Sequence, residues 1–330
     1  MKTRRTAIIS GISGQDGSFL AEQLLARGYR VVGLHRRLSS VNHWRISHIH
    51  NLELACVDLL DLSSLLDVFR QVKPDEVYNL AAQSFVPASW KQPELTGEVT
   101  GLGAVRMLEA FRREVPEGRF YQASSSEMFG QVSSTPQNET TPFNPLSPYA
   151  CSKVYAHHMA VNYRKAYGLF VTCGTLFNHE SERRGLEFVT RKITAGAARI
   201  SVGLQDKLVL GDLSPRRDWG FAGDYTRAMQ AMLSADEPSD FVVATGENHS
   251  VEDFLNAAFS YVNLDWREHV ETDSKFYRKN ELVCLTGDSE RAREQLGWRP
   301  ELTFSDLVER MMGADVRRAE AEKRFGVTFQ

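Results

Sequence analysis

The sequence predicts an α/β protein: a doubly wound parallel sheet with a smaller, mostly helical C-terminal lobe. Three observations predict it. Short apolar runs alternate with helix-period segments through the first half of the chain, the pattern of parallel strands joined by right-handed crossovers. The first run, Thr6–Gly11 (TAIISG), leads straight into Gly11, Gly14 and Gly17, three residues apart, and then into an amphipathic segment. Beyond residue 178 the alternation gives way to mainly helical segments.

Taken in order, GISGQDGSFLAEQLLARGY reads as a phosphate loop and helix. Glycines let the backbone approach a pyrophosphate, and the helix N-terminus offers oriented N–H donors, so the sheet is expected to be Rossmann-type. The second strand, Arg30–Arg36, runs into His35-Arg36-Arg37 with no carboxylate to take a ribose 2′-hydroxyl. Guanidinium groups suit a 2′-phosphate, which favours NADP over NAD; a solvated basic turn is the bland alternative. A third strand, Glu53–Val57, ends at Asp58, a candidate adenine contact. The fourth, Glu76–Leu80, runs into Ala81, Ala82, Gln83 and Ser84, where a cofactor can lie against the backbone. Helices are expected over Leu62–Val72 and Gly101–Arg113.

The run Phe120–Ala123 predicts a buried strand, with Ser124–Ser126 and Glu127 at its end. Pro148 suits the first turn of a helix that carries Tyr149 and, four residues on, Lys153 on the same face. Tyr-x-x-x-Lys alone is a weak signal; here it follows a hydroxyl and a carboxylate at a strand end, where such sheets bind ligands. A tyrosine near pKa 10 must fall by roughly three units, about 4 kcal/mol, to act as a base at neutral pH. A cation about 4 Å away at an effective dielectric near 20 supplies about that much. Lys153, helped by the charge of an oxidised nicotinamide, is therefore the expected activator of Tyr149, and Ser125 the expected hydrogen-bond donor to a developing oxyanion.

A further strand, Phe170–Phe177, ends at Asn178-His179-Glu180. FVTRKITAGAARI, SVEDFLNAAFSYV and FSDLVERMMGADV then read as helices of a smaller lobe, with short strands such as Phe241–Thr245 between them. The expected division is 1–178 for the cofactor and 179–330 for the substrate, some later segments returning to the sheet. Arg183, Arg184, Arg191, Lys192, Arg216, Arg217 and Arg278 are scattered through the second part; each alone reads as a surface charge, together they can converge on a diphosphate. The last residues, RRAEAEKRFGVTFQ, are expected to be loosely held.

Composition sets outer limits. At 330 residues, 42% hydrophobic and 25% charged, the chain can bury a large core. A net charge of −3 gives no basic field for nucleic acid. No apolar run is long enough to span a bilayer, and the start enters a strand rather than a signal peptide, which points to the cytoplasm. Cys56, Cys151, Cys173 and Cys284 are widely spaced, so reduced and mostly buried thiols are expected, and no metal site.

With these motifs in place the chain resembles the extended short-chain dehydrogenase/reductases, and within them the GDP-mannose 4,6-dehydratases. The likeness runs from TAIISGISGQDGSFLAEQLL to GDSERAREQLGWRPE and is carried by SGQDGS, HRRLSS, EVYNLAAQSFVPASW, FYQASSSEMFG, SPYACSKVYAHH, LFNHESERRGLEFVTRKIT, RDWGFAGDY and VATGENHSVEDF. The resemblance implies a phosphate loop of Gly11, Ser13, Gly14, Gln15 and Asp16, followed by Gly17. It implies that Arg36 and Arg37 meet the 2′-phosphate region near a subunit contact, and that Asp58, Leu59, Leu80, Ala81, Ala82, Gln83, Ser84, Lys153, His179 and Arg184 complete an NADP site. Ser125, Glu127, Tyr149 and Lys153 fall on catalytic positions. Ser84, Asn178, Val189, Lys192, Arg217, Arg278 and Glu281 fall on positions that line a GDP-sugar, and a homotetramer built as a dimer of dimers is implied.

The implied reaction is an internal redox cycle. Tyr149 takes the proton of the sugar 4-hydroxyl as hydride leaves C4, Glu127 removes the C5 proton and protonates the departing C6 hydroxyl, and the hydride returns to C6. Glu127 is what adds elimination to oxidation. Departures surround the sugar: Ser125 where the family usually has Thr, Leu95 for a Tyr, Leu146 for an Arg, and Arg278-Lys279-Asn280-Glu281-Leu282 for the usual Arg-Pro-Ala-Glu-Val. They leave a GDP-manno-heptose dehydratase as the competing reading. A 4-ketosugar reductase or epimerase should lack Glu127, and a non-catalytic NADP sensor would have no reason to fill all four chemical positions.

Overall fold

The computed structural model describes residues 4–37, 43–132, 134–276 and 284–326. Seven parallel strands form the central sheet. They are β1 (Thr6–Ser10), β2 (Arg30–His35), β3 (Glu53–Cys56), β4 (Glu76–Asn79), β5 (Arg119–Ser125), β6 (Phe170–Leu176) and β7 (Asp240–Val243), in the spatial order β7-β6-β5-β4-β1-β2-β3. The order reverses at the β1/β4 boundary, the switch point at which a doubly wound sheet opens a ligand crevice. Strands β1, β4 and the middle of β5 are buried, as helices on both faces require.

The covering helices are α1 (Gln15–Ala26), α2 (Leu62–Val72), α3 (Gly103–Glu114) and α4 (Pro148–Tyr167). Local chemistry sets their ends. Asp61 caps α2 by accepting from the Ser63 amide at 2.9 Å. Ser147 caps α4 by accepting from the Ala150 amide, Pro148 takes its first turn, and Gly168 at φ 65° closes it. The helix expected from Gly101 begins as α3 at Gly103, preceded by a π-helical stretch, Gly97–Leu102.

Helices α5 (Val189–Ser201), α6 (Ala222–Ser234), α7 (Val251–Tyr261) and α8 (Phe304–Phe325) follow. Helix α6 packs under the sheet, where Met229 and Met232 join Ile9, Leu20, Tyr121 and Trp298 in one buried cluster. Helices α5, α7 and α8 share a separate core of Ile193, Phe254, Phe259, Met311 and Met312. Strand β7 shows the path of the returning chain: the segment read as a short strand between the helices of the lobe pairs with β6, Asp240 opposite Cys173 through Val243 opposite Leu176. The C-terminal expectation needs correcting. Residues 317–325 are the last turns of α8, tied down by Arg318 to Asp315, Arg199 to Glu322 and Lys323 to the Val202 carbonyl. Cys56 and Cys151 are exposed rather than buried, Cys173 is buried, and all four thiols are free. Among the described residues no helix is long and apolar enough to cross a membrane, and no group of three or more His, Cys, Asp or Glu could hold a metal ion.

Candidate active site

The site is built outward from the end of β1. Gly11 sits at φ 71°, where a Cβ would come within 3.0 Å of the Ala81 nitrogen, and a Cβ on Gly17 would meet the Gly11 carbonyl oxygen at 2.4 Å. No side chain caps α1 at Gly14, so its first N–H groups face outward from the loop, as an anion requires. Ser10 Oγ accepts from the Leu80 and Ala81 amides at 3.1 Å each and donates to Asn79 Oδ1 at 2.7 Å, which fixes the start of Leu80–Ser84 beside the loop. The Gln83 amide donates to Thr100 Oγ1 at 3.1 Å.

At the outer edge, Arg36 and Arg37 emerge exposed from β2. Asp58 is exposed past β3, where its carboxylate accepts from the Leu60 amide; Leu59 lies against Gly103. Glycine loop, Arg36–Arg37, Asp58–Leu59 and Leu80–Ser84 thus all follow the C-terminal ends of adjacent strands β1, β2, β3 and β4.

At the chemical end, β5 delivers Ser125 and Glu127, and α4 delivers Tyr149 and Lys153. Ser125 Oγ accepts from the Glu127 amide at 3.3 Å and its hydroxyl hydrogen-bonds the Tyr149 phenol. The phenol also feels Glu127, Arg184 and Asp16, so β5, α4, the glycine loop and the segment after β6 meet here. Glu127 is half-buried. Lys153 is buried and donates through Nζ to the Ala123 carbonyl at 2.8 Å, with Nζ 5.8 Å from the Tyr149 ring centre.

The electrostatics depart from the simple arithmetic of a cation beside a phenol. Burial pushes the Tyr149 phenol up to about 12, against the Ser125 hydrogen bond that pulls it down, and Glu127 adds to the rise. Burial also takes the Lys153 ammonium down to about 8, against the attraction of Asp16. For the buried ammonium, desolvation outweighs the attraction of Asp16. In this chain by itself the phenol is therefore a proton donor at neutral pH.

His179 and Arg184 follow β6. His179 bonds Asp16 at 2.8 Å; Arg184 Nε lies 3.1 Å from Glu180 Oε2, and its guanidinium stacks on Phe188 at 3.6 Å. Of the expected sugar-nucleotide residues, Asn178 opens a short strand, Asn178–Glu180, paired with Trp219–Phe221. Val189 and Lys192 lie on the first turn of α5. The ring contact of Phe85 with Phe188, 5.7 Å between centres, brings the Ser84 loop to Val189. Arg217 is buried in a three-stranded sheet of Arg216–Arg217, His249–Ser250 and Cys284–Leu285. Arg278 and Glu281 lie outside the described residues.

One residue had no signal in the sequence. Arg45 donates to the Arg183 carbonyl at 2.6 Å and the Ser13 carbonyl at 3.4 Å, stacks on Trp44 at 4.2 Å, and is lowered by burial to about 10. It braces the phosphate loop from a stretch with neither periodicity nor motif.

A parallel sheet with a glycine loop at its switch point, and a Ser, Glu, Tyr and Lys gathered beside it, defines a site to compare. The family model described as GDP-mannose 4,6 dehydratase matches residues 8–311. The chain belongs to this family. It is 52% identical over 336 residues to GDP-mannose 4,6 dehydratase 1 of Arabidopsis thaliana, covering 98% of this chain and 93% of that one. Among solved structures it is similar to RMD of Pseudomonas aeruginosa complexed with NADPH (25% identity, TM-score 0.80, 95% of this chain and 100% of the other). It is also similar to the UDP-glucose 4-epimerase of Thermus thermophilus in complex with NAD (27% identity, TM-score 0.82, 94% and 98%).

Proposed function

We propose that the protein is a GDP-mannose 4,6-dehydratase that uses NADP, converting GDP-D-mannose to GDP-4-keto-6-deoxy-D-mannose and water. Family membership at 52% identity supports the reaction, and the observation that carries the chemistry is the convergence of Ser125, Glu127 and Tyr149 at one strand end. Gly11–Gly17 and Leu80–Ser84 would hold the nicotinamide cofactor, with Asp58 and Leu59 as the residues for its adenine. Arg36 and Arg37, exposed at the end of β2 with no carboxylate next to them in the sequence, favour the 2′-phosphate, and the NADPH-bound neighbour supports that choice. When bound, the cofactor supplies a hydride acceptor and donor, and in its oxidised form a positive charge at the buried end of the site.

The chain's own residues do the rest. Tyr149, hydrogen-bonded to Ser125, takes the proton of the sugar 4-hydroxyl and returns one at the end of the cycle. Lys153 holds the end of β5 through the Ala123 carbonyl and lends positive charge to the buried site. Glu127, half-buried beside the phenol, removes the C5 proton once C4 is a ketone and protonates the leaving C6 oxygen. Ser84 and Asn178 from the cofactor part, and Val189, Lys192 and Arg217, with Arg278 and Glu281, from residues 179 onward, hold the GDP-sugar. The protein works in the cytoplasm as a homotetramer; exposed Trp90, Leu95, Leu102 and Tyr155 offer apolar surface for such an assembly. GDP-manno-heptose is the weaker reading, since the matching family and relatives are named for GDP-mannose.

The test is to incubate the purified protein with GDP-mannose or GDP-manno-heptose and catalytic NADP⁺, and to identify products by mass. Loss of one water without accumulation of NADPH is expected from GDP-mannose. Glu127→Gln should abolish that loss and still bind NADP; unchanged turnover in this variant would remove Glu127 from the mechanism.

A further inference from the structure

The loop assigned to the cofactor phosphates carries a carboxylate, Asp16, in the first turn of α1, where an anion has to approach. Its Oδ2 lies 2.8 Å from His179 Nε2. The other ring nitrogen, Nδ1, lies 2.7 Å from the Phe177 carbonyl oxygen. A carbonyl oxygen only accepts, so Nδ1 must carry a hydrogen; an ionised carboxylate only accepts, so Nε2 must carry one as well. A neutral imidazole has a single N–H. Two acceptors therefore require the imidazolium.

The surroundings agree. The Tyr225 ring from α6 stacks on His179 with centres 4.7 Å apart and planes inclined by 21°, offering a cation its π-face. From the following loop Arg184 opposes the charge, but its guanidinium is paired with Glu180, His179's own strand neighbour. Asp16 in turn faces Lys153, Tyr149 and Tyr121. Burial opposes both charges and their mutual attraction prevails, holding His179 above its ordinary value and Asp16 below its own. Gln15 closes the ring: Nε2 donates to Asp16 Oδ1 at 3.1 Å and to the His179 carbonyl at 3.0 Å, and Oε1 accepts from Ser181 Oγ at 2.7 Å.

We propose that His179, as a doubly donating imidazolium, is the positioning residue that cancels the charge of Asp16 and locks the phosphate loop to the Asn178–Glu180 strand. The loop then binds a dinucleotide diphosphate more tightly while His179 is protonated. This deepens the reading of the cofactor site given above and rests on it. As pH rises through the elevated value of His179, Nε2 loses its hydrogen, its lone pair faces Asp16, and an uncompensated anion stands beside the diphosphate. The same step removes the stability that the imidazolium contributes, which is fully present below the ordinary histidine value. The Asp16 contribution is lost at the other end, as pH falls through its depressed value. The clamp holds between these two limits.

Two measurements test it. In the cofactor-free protein with ¹⁵N-labelled histidine, both His179 ring nitrogens should show the protonated signature at neutral pH and keep it past 6.5, the ordinary midpoint. Calorimetric titration with NADP⁺ from about pH 6 to about pH 9 should show affinity falling as that signal titrates. His179→Gln should bind about tenfold more weakly at neutral pH, the size of one charge-assisted hydrogen bond, with a flat profile. Asp16→Asn should flatten the profile too. A neutral-imidazole signature at pH 7, or wild-type affinity that is constant through the His179 titration, overturns the clamp alone. A protein that binds no dinucleotide at any pH overturns the cofactor reading, and the clamp with it.

Discussion

The part of the site that rests on the sheet and the part that rests on the lobe are made of different materials. Ser125 ends a seven-residue strand paired on both sides, Glu127 lies in the short 3-10 turn directly after it, and Tyr149 and Lys153 ride a twenty-residue helix with a serine cap. Arg217 and Asn178, by contrast, lie in strands of two and three residues, and Lys192 sits in the first turn of a helix anchored by charge. That anchor is Asp315, which accepts from Arg191 Nη2 at 2.7 Å, Thr194 Oγ1 at 2.6 Å and Arg318 at 2.8 Å. Proton transfer tolerates little displacement, so it belongs on the regular elements; charge recognition of a diphosphate tolerates more. The contrast predicts that the two parts fail in different measurable quantities.

The largest effect belongs to the sheet part. Tyr149→Phe keeps the packing of a buried ring and removes the proton carrier, so kcat should fall by about 10²–10⁴-fold while NADP binding persists. Rapid-quench turnover beside a binding titration checks this, and a variant within tenfold of wild type would take the phenol out of the chemistry. Next comes the anchor of the lobe. Asp315→Ala strands the buried Arg191 guanidinium and should cost about 3–5 kcal/mol in chemical denaturation; a loss below about 1 kcal/mol would mean that water relieves the arginine. Smaller again is Arg217→Ala, expected to raise KM for GDP-mannose about 10–100-fold, one charged hydrogen bond's worth, with kcat little changed. An equal fall in kcat would erase the division between the two parts.

Much of the sheet part was legible because its signals are local. Three glycines at fixed spacing, and Pro148 at the first turn of the Tyr149 helix, dictate backbone shape within a few residues. Strand β7 was legible as a strand but not as a partner of β6, since a short apolar run looks alike whichever sheet receives it. The continuation of α8 to Phe325 depends on Arg199, Val202 and Asp315, far away in sequence or a turn earlier, which composition cannot show. Arg45 was silent for the same reason: its partners are carbonyls at Ser13 and Arg183. The Tyr149 arithmetic left out one quantity, the burial of both groups, which in the chain by itself, without a nicotinamide charge, keeps the phenol high.

The smallest predicted effect probes the join between strand and helix most finely. Ser125 ends β5 in extended conformation, φ −148° and ψ 141°, with its Oγ accepting from the Glu127 amide while hydrogen-bonding Tyr149. A serine hydroxyl can rotate among three staggered positions. The family's usual threonine keeps the hydroxyl, favours extended backbone and restricts χ1. The site is half-buried, so one methyl does not force a repacking of the core. Ser125→Thr should therefore raise kcat by about two- to fivefold, the gain from removing one competing rotamer or two, with KM for GDP-mannose and NADP affinity unmoved. Ser125→Ala supplies the control, losing about 10–100-fold because the oxyanion and the phenol lose a shared partner. A threonine variant slower than wild type would show that the hydroxyl needs its rotational freedom, and that the strand end is a moving part of the site rather than a fixed one.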